Sequence, residues 1–208
     1  MKFVLFVEGH TEKKGVAPFL KRYLDEKLSV KVGIKTVRFE GWPEMVKDMS
    51  KKAWMYLEGP DRNDIIVVMG LLDLYGPTFY PQNTVTASER LAWAKNHLEN
   101  TVKHKRFKMF FAVHEVEAWL LSQPEVFPRE VGEELDSESK NPEEVNFENP
   151  PSKRLEYLYL QKTGRNYKKV VYGSQLFSKL DPEMAASKCP ELKKMIECML
   201  EMANNAVL

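Results

Sequence analysis

Lys2-Phe-Val-Leu-Phe-Val-Glu-Gly-His-Thr-Glu12 is the stretch whose reading decides the fold of this chain. Its apolar residues run unbroken from Phe3 to Val7 and stop at Glu8-Gly9. β-Branched and aromatic residues bounded by a glycine predict a buried strand. A run without polar interruption suits a parallel strand covered on both faces. Its carboxyl end then delivers Glu8 to the edge where open α/β sheets place their ligands. Gly9 is expected to turn the backbone sharply and to leave room for a close approach. Thr11 is expected to cap the following helix, with Glu12 in its first turn.

The same strand-then-helix pattern recurs outward from this stretch. Val16, Phe19, Leu20, Tyr23 and Leu24 share one face of a helix over 12–27. Val30 to Phe39 reads as a second strand. Gly41-Trp42-Pro43 opens a helix that runs to about Leu57, with the proline in the first turn where it is tolerated. Asp64 to Leu72 is the strongest strand in the sequence and ends in Asp73-Leu-Tyr-Gly76. A polar loop follows, and Thr86 or Ser88 starts a third helix through Leu91, Leu98 and Val102. Phe107 to Val113 is a fourth strand and runs into His114-Glu-Val-Glu117. This alternation predicts an α/β fold: a mainly parallel four-stranded sheet with helices on both faces. The expected strand order is two-one-three-four, with right-handed crossovers. Residues 1–122 form this core. Residues 123–208 are expected to be an acidic loop and a helical extension packed on the same domain.

Composition narrows the function. The chain has 208 residues, 43% hydrophobic and 29% charged, which is ordinary for a soluble globular protein. A net charge of +1 leaves any argument for nucleic acid or membrane to local patches. Cys189 and Cys198 lack metal-ligand spacing and read as reduced thiols of a cytoplasmic protein. The N-terminal apolar run is too short for a signal peptide, and no stretch approaches a membrane span. Two charge runs stand out late in the chain. Arg129 to Glu148 is acidic and poor in hydrophobes, the signature of a loop of low order. Lys153 to Lys169 holds Lys153, Arg154, Lys162, Arg165, Lys168 and Lys169 against Glu156, with Tyr157, Tyr159 and Tyr167 between them. Such a segment is either a solvated face with its rings in the core or a nucleic-acid surface.

Glu8, Asp73 and Glu115 or Glu117 each follow an apolar strand. In a parallel sheet all such ends share one edge, so these acids converge. Converging carboxylates repel unless they are protonated or bridged by a cation. The natural bridge is a hard, oxygen-preferring ion such as Mg²⁺ or Mn²⁺. At about 100° per residue, Glu115 and Glu117 diverge on a helix, so both reach one ion only if the helix has not yet begun. His114 orients a carboxylate, transfers a proton, or simply finishes the strand.

Val7-Glu-Gly-His-Thr-Glu12, Asp73-Leu-Tyr-Gly76, His114-Glu-Val-Glu-Ala-Trp-Leu-Leu121, Pro151-Ser-Lys-Arg-Leu155, Tyr167-Lys-Lys169 and Lys188-Cys-Pro190 together resemble domain-of-unknown-function family 4276. That family is regarded as Toprim-like and related to the nuclease half of overcoming-lysogenization-defect proteins. The resemblance implies metal-dependent phosphodiester chemistry on DNA or RNA, with a role in defence against foreign genetic elements such as phage. It makes Glu8 the acid or base and Asp73 a metal ligand. The chain departs from the wider Toprim pattern at Tyr75, where the second acid of an Asp-x-Asp pair is missing, unless Glu115 or Glu117 substitutes. On this reading Glu8, His114, Glu115 and Glu117 are the catalytic candidates, and Glu8, Asp73, Glu115 and Glu117 the candidate ligands of Mg or Mn. Lys153, Arg154, Arg165, Lys168 and Lys169 are the candidate nucleic-acid contacts, expected to face the same edge. The alternative is a non-catalytic module that binds nucleic acid or a partner ATPase. The chain has no Walker-type loop, so that ATPase is a separate protein.

Overall fold

A computed structural model describes residues 1–144 and 149–207. Strands β1 (Lys2–Val7), β2 (Gly33–Arg38), β3 (Ile65–Asp73) and β4 (Phe107–Ala112) form one sheet in the order β2-β1-β3-β4. Every pairing is parallel. The expected order is therefore the observed one, and β1 and β3 sit side by side at its centre. Their apolar runs are continuous because both faces are covered: Phe3, Leu5 and Val7 face one core layer, and Val4 and Phe6 the other. The β1–β3 register shifts between Lys2 and Val4, so β3 carries one extra residue there. That bulge places Ile66 and Val67, neighbours in sequence, in the same layer.

Helices α2 (Trp42–Leu57) and α3 (Ala87–Val102) cover one face through Met45, Met49, Ala53, Leu57, Ala94 and Leu98. α3 starts as its sequence asks: Thr86 accepts from the Glu89 N–H, and the Glu89 carboxylate accepts from the Thr86 N–H. The other face is covered by α1 (Ala17–Lys27) and by the later helices. These are α4 (Glu117–Leu121), α5 (Arg129–Gly132), α6 (Pro151–Thr163), α7 (Lys169–Lys179), α8 (Pro182–Lys188) and α9 (Pro190–Val207). Leu155, Phe177, Leu192, Met195 and Met199 share one buried layer with Phe3 and Leu5 of β1. Among the described residues no helix is long and apolar enough to cross a membrane.

Two local expectations are corrected. Thr11 does not cap a helix: it is already helical, buried, and makes no side-chain cap bond. Glu12–Val16 instead forms a π-helical turn ahead of α1. Gly9 lies in a bend, as expected, without entering the left-handed region. It supplies space, because a Cβ there would stand 2.9 Å from Glu12 Oε2. The acidic stretch is not a loose loop over its described part. Val131 and Leu135 are buried, Glu134 pairs with Lys162, and Glu138 with Arg154 at 2.9 Å. Glu143 accepts from the Glu191 N–H at the start of α9. The remainder of that stretch, residues 145–148, lies outside the described residues.

Candidate metal centre at the sheet's carboxyl edge

The topology brings the strand-end acids together. Glu8 follows β1 directly, and its Oε1 accepts from the Asp73 N–H at 2.7 Å. Its backbone is pinned from the other side, where the Gly41 N–H donates to the Glu8 carbonyl. Asp73 closes β3, and its Oδ1 accepts from the Val116 N–H at 3.0 Å. The four residues after β4 form no regular element until α4 begins at Glu117. His114 takes a left-handed backbone (φ 65°), which non-glycine residues rarely adopt. This turn resolves the angular conflict between Glu115 and Glu117. Glu115 precedes the helix and Glu117 opens it, so both reach the same point. One carboxylate oxygen each from Asp73, Glu115 and Glu117 lie within 4.8 Å of one another.

Side chains not expected among the acids complete the site. Ser152, at the start of α6, holds Glu115 by two bonds: its N–H donates to Oε2 at 2.8 Å and its hydroxyl to Oε1 at 2.9 Å. Glu12 is 5% exposed, and its Oε2 has no hydrogen-bond partner among the described residues. Its signal in the sequence was the spacing to Glu8, four residues on, but it was expected only as a first-turn residue of the helix. Lys169 opens α7 with Nζ 2.9 Å from Glu117, 3.5 Å from Asp73 and 3.8 Å from Glu115. A lysine read as a surface contact thus lies inside the acid cluster, its side chain about one third exposed.

The electrostatics follow from burial. Desolvation pushes the Glu8 carboxyl up to about 7, against the relief given by the Asp73 N–H and Lys169. Glu117, with no exposed surface, is likewise pushed up to about 7, chiefly by burial and less by Glu115. Asp73 is raised well above the carboxylate range by burial, with Glu8, Glu12 and Glu117 adding to it. Burial draws the Lys169 ammonium down, but Asp73, Glu117 and Glu115 outweigh it and hold it above an ordinary lysine. The buried His114 imidazole is lowered by desolvation, so at neutral pH it is the neutral ring.

The other predicted residues spread out. Arg154 is tied to Glu138 and to the Glu134 carbonyl. Lys153, Arg165 and Lys168 are exposed. Tyr159 and Tyr167 are buried and pack on each other at 5.2 Å, so of the three interleaved rings Tyr157 alone is exposed. Burial raises the Tyr167 hydroxyl far above its usual range, with the Glu117 carboxylate next in effect.

The donor set fits a hard cation. It is all carboxylate oxygen, and Glu117 Oε1 and Glu12 Oε2 are buried without a hydrogen-bond partner among the described residues, while Glu117 Oε2 faces the Lys169 ammonium at 2.9 Å. Such orphaned anionic oxygens are costly unless a positive charge completes them.

A doubly wound parallel sheet with acids converging at its carboxyl edge defines an open-sheet α/β protein. The chain belongs to the family of domains of unknown function DUF4276, whose profile matches residues 7–200. Its fold is similar to the C-terminal region of the Burkholderia pseudomallei OLD protein, with a TM-score of 0.51, 17% identity, and coverage of 99% of this chain and 98% of that one. The C-terminal region of the Xanthomonas campestris pv. campestris OLD protein is similar at a TM-score of 0.42 and 17% identity, over 95% of this chain and 94% of that one. No curated protein matches the chain.

Proposed function

We propose that the protein is a metal-dependent nuclease of Toprim type, hydrolysing phosphodiester bonds in DNA or RNA. The observation that carries this reading is the convergence of Asp73, Glu115 and Glu117 on one point, with Lys169 among them. The family's resemblance to the nuclease half of overcoming-lysogenization-defect proteins supports it, and defence against foreign genetic elements belongs to the same reading. Asp73, Glu115 and Glu117 would hold a Mg²⁺ or Mn²⁺ ion, and Glu12 adds a further carboxylate whose charge acts on Glu8, Asp73 and Glu117. Bound there, the ion would supply Lewis-acid polarisation of a phosphate oxygen. Glu8, with a carboxyl held near neutrality, is suited to orient water and take its proton. Lys169 supplies a permanent positive charge to the phosphate as negative charge builds on it. Ser152 fixes Glu115 and is a positioning residue.

One observation favours the non-catalytic alternative. Lys169 already neutralises part of the cluster, as a purely structural ion-pair network would. Single- and double-stranded DNA and RNA incubated with and without Mn²⁺ or Mg²⁺, beside a calorimetric Mn²⁺ titration, separate the two. Metal binding with no cleavage of any substrate would leave the binding module standing and sink the enzyme.

A further inference from the structure

The carboxyl edge continues beyond the acids into a group of rings that the reaction does not use. The segment after β3 contributes Phe79 and Tyr80, the start of α2 contributes Trp42, and α3 contributes Trp93 and His97. Phe79 stacks on Tyr80 at 4.8 Å, and Trp93 on His97 at 4.5 Å with 12° between the planes. Phe79 joins the two pairs, 5.9 Å from Trp93 and 5.7 Å from Trp42. Four of these rings are half-buried and His97 is exposed, whereas the core rings Phe3, Phe6, Phe19 and Trp119 are shut away. The Arg90 guanidinium stands 5.2 Å over Tyr80.

The group is continuous with the acid site. The Tyr80 hydroxyl donates to the carbonyl of Leu74, the residue after Asp73. The Trp42 backbone N–H favours the charged form of the Glu8 carboxylate, and the charges of Glu8 and Asp73 act on Tyr80. A polyanion reaching this edge meets carboxylates, so phosphate contacts alone hold it poorly. Ring faces attract nucleobases without any demand on charge, and a cation near a ring adds to the attraction. Bases inside a duplex hide their faces, and unpaired bases present them.

We infer that Trp42, Phe79, Tyr80, Trp93 and His97 form a stacking platform for unpaired nucleobases flanking the phosphodiester held at the acids. The inference rests on the proposed reaction for the position of that phosphodiester, and binding tests it separately from cleavage. Labelled oligo(dT) and oligo(rU) of about 12 nucleotides, within the ~4–16 that single-strand sites span, are titrated by fluorescence anisotropy in EDTA. A duplex of the same length is the control. Trp93→Leu is expected to weaken single-strand binding by roughly five- to 100-fold. The exposed His97→Ala moves it the same way, Trp93→Phe retains it, and the duplex is unaffected. The tighter of the two oligomers identifies DNA or RNA as the source of the bases. Thermal melts confirm that each variant is folded, and His97→Ala, on the surface, decides the matter if Trp93→Leu is not. Unchanged single-strand affinity in the folded variants overturns the platform, as does an equal loss on the duplex or a wild type that binds neither strand. A wild type that cleaves with Mn²⁺ while the variants bind normally sinks the platform alone. One that binds through the rings and never cleaves sinks the reaction alone.

Discussion

Glu8, Asp73, Glu115 and Glu117 are scattered from position 8 to position 117, and the fold gathers them at one edge. Lys153 to Lys169 are crowded in a single segment, and the fold disperses them. Lys169 enters the acid cluster, Arg154 and Lys162 pair with the acidic stretch before α6, and Lys153, Arg165 and Lys168 stay in solvent. The difference lies in what fixes each position. A strand end in a parallel sheet is located by the sheet, however far apart the strands are in sequence. A charge on a helix or connection is located only by its own packing, and sequence proximity says little about where it points.

The largest effects break the acid side of this contrast. Asp73→Asn and Glu117→Gln are each expected to lower metal-dependent cleavage by at least about 100-fold, the upper end of what loss of a mere supporting partner costs. Without metal, Asp73→Asn should leave the melting temperature unchanged or higher, since burial and its acidic neighbours disfavour the charged form. It should also abolish the stabilisation that Mn²⁺ gives the wild type. Paired melts with and without Mn²⁺ settle this, and a metal shift that persists in both variants speaks against a shared ion.

Lys169 sits on the boundary between the two regions. Lys169→Met is expected to reduce kcat by roughly 100- to 1000-fold, the scale of a lost charge-stabilising donor. The same change should tighten Mn²⁺ binding, because an ammonium within 2.9 to 3.8 Å of three carboxylates competes with the ion for them. Calorimetry that shows weaker binding would make Lys169 a structural partner instead.

The pH dependence of the metal-free protein probes the same edge. Glu8 and Glu117 are pushed up to about 7 in the fold, against 4.5 for an ordinary glutamate. The native state therefore takes up protons before the unfolded chain does, and stability falls as pH rises through that window. Urea unfolding in EDTA should show a loss of up to about 5 kcal/mol between pH 5 and pH 8. Mg²⁺ should reverse it at the upper end. A metal-free protein that gains stability over this range would contradict the burial of charge at the edge.

Ser152→Ala should cost about tenfold in activity, as for a residue that only orients a ligand. The Ser152 N–H survives the change, so the loss stays well below that of Glu117→Gln. Smallest is Lys168→Glu, which should weaken nucleic-acid binding modestly and flatten its salt slope by about one phosphate contact. An unchanged slope returns Lys168 to plain solvent.

The sheet was legible because buried parallel strands write themselves as unbroken apolar runs, and the strand order was expected from the alternation together with the need to place Glu8 and Asp73 at adjacent strand ends. The convergence of Glu8 and Asp73 was legible for the same reason. Ser152 and Glu12 were not. Ser152 reaches Glu115 through the packing of α6, which no local pattern encodes. Glu12 was hidden by the assumption of regular helical phase. The looseness expected of the acidic stretch failed because its charges have partners, Lys162 and Arg154, that lie beyond it in sequence.

The π-helical turn at Glu12–Val16 amounts to one residue inserted into a helix. It lets two incompatible rhythms coexist on one segment. Val16, Phe19, Leu20 and Leu24 keep step with the core, while Glu12, upstream of the slip, is turned toward Glu8 and Gly9. Deleting Lys14 would restore the ordinary rhythm and rotate Glu12 by about 100° relative to the core residues. Such a chain would retain its whole hydrophobic inventory and lose an acid from the edge without any change of that acid's identity. One surplus residue, exposed and replaceable in its side chain, thus acts as the phase setting between a helix that packs and a helix that presents a carboxylate.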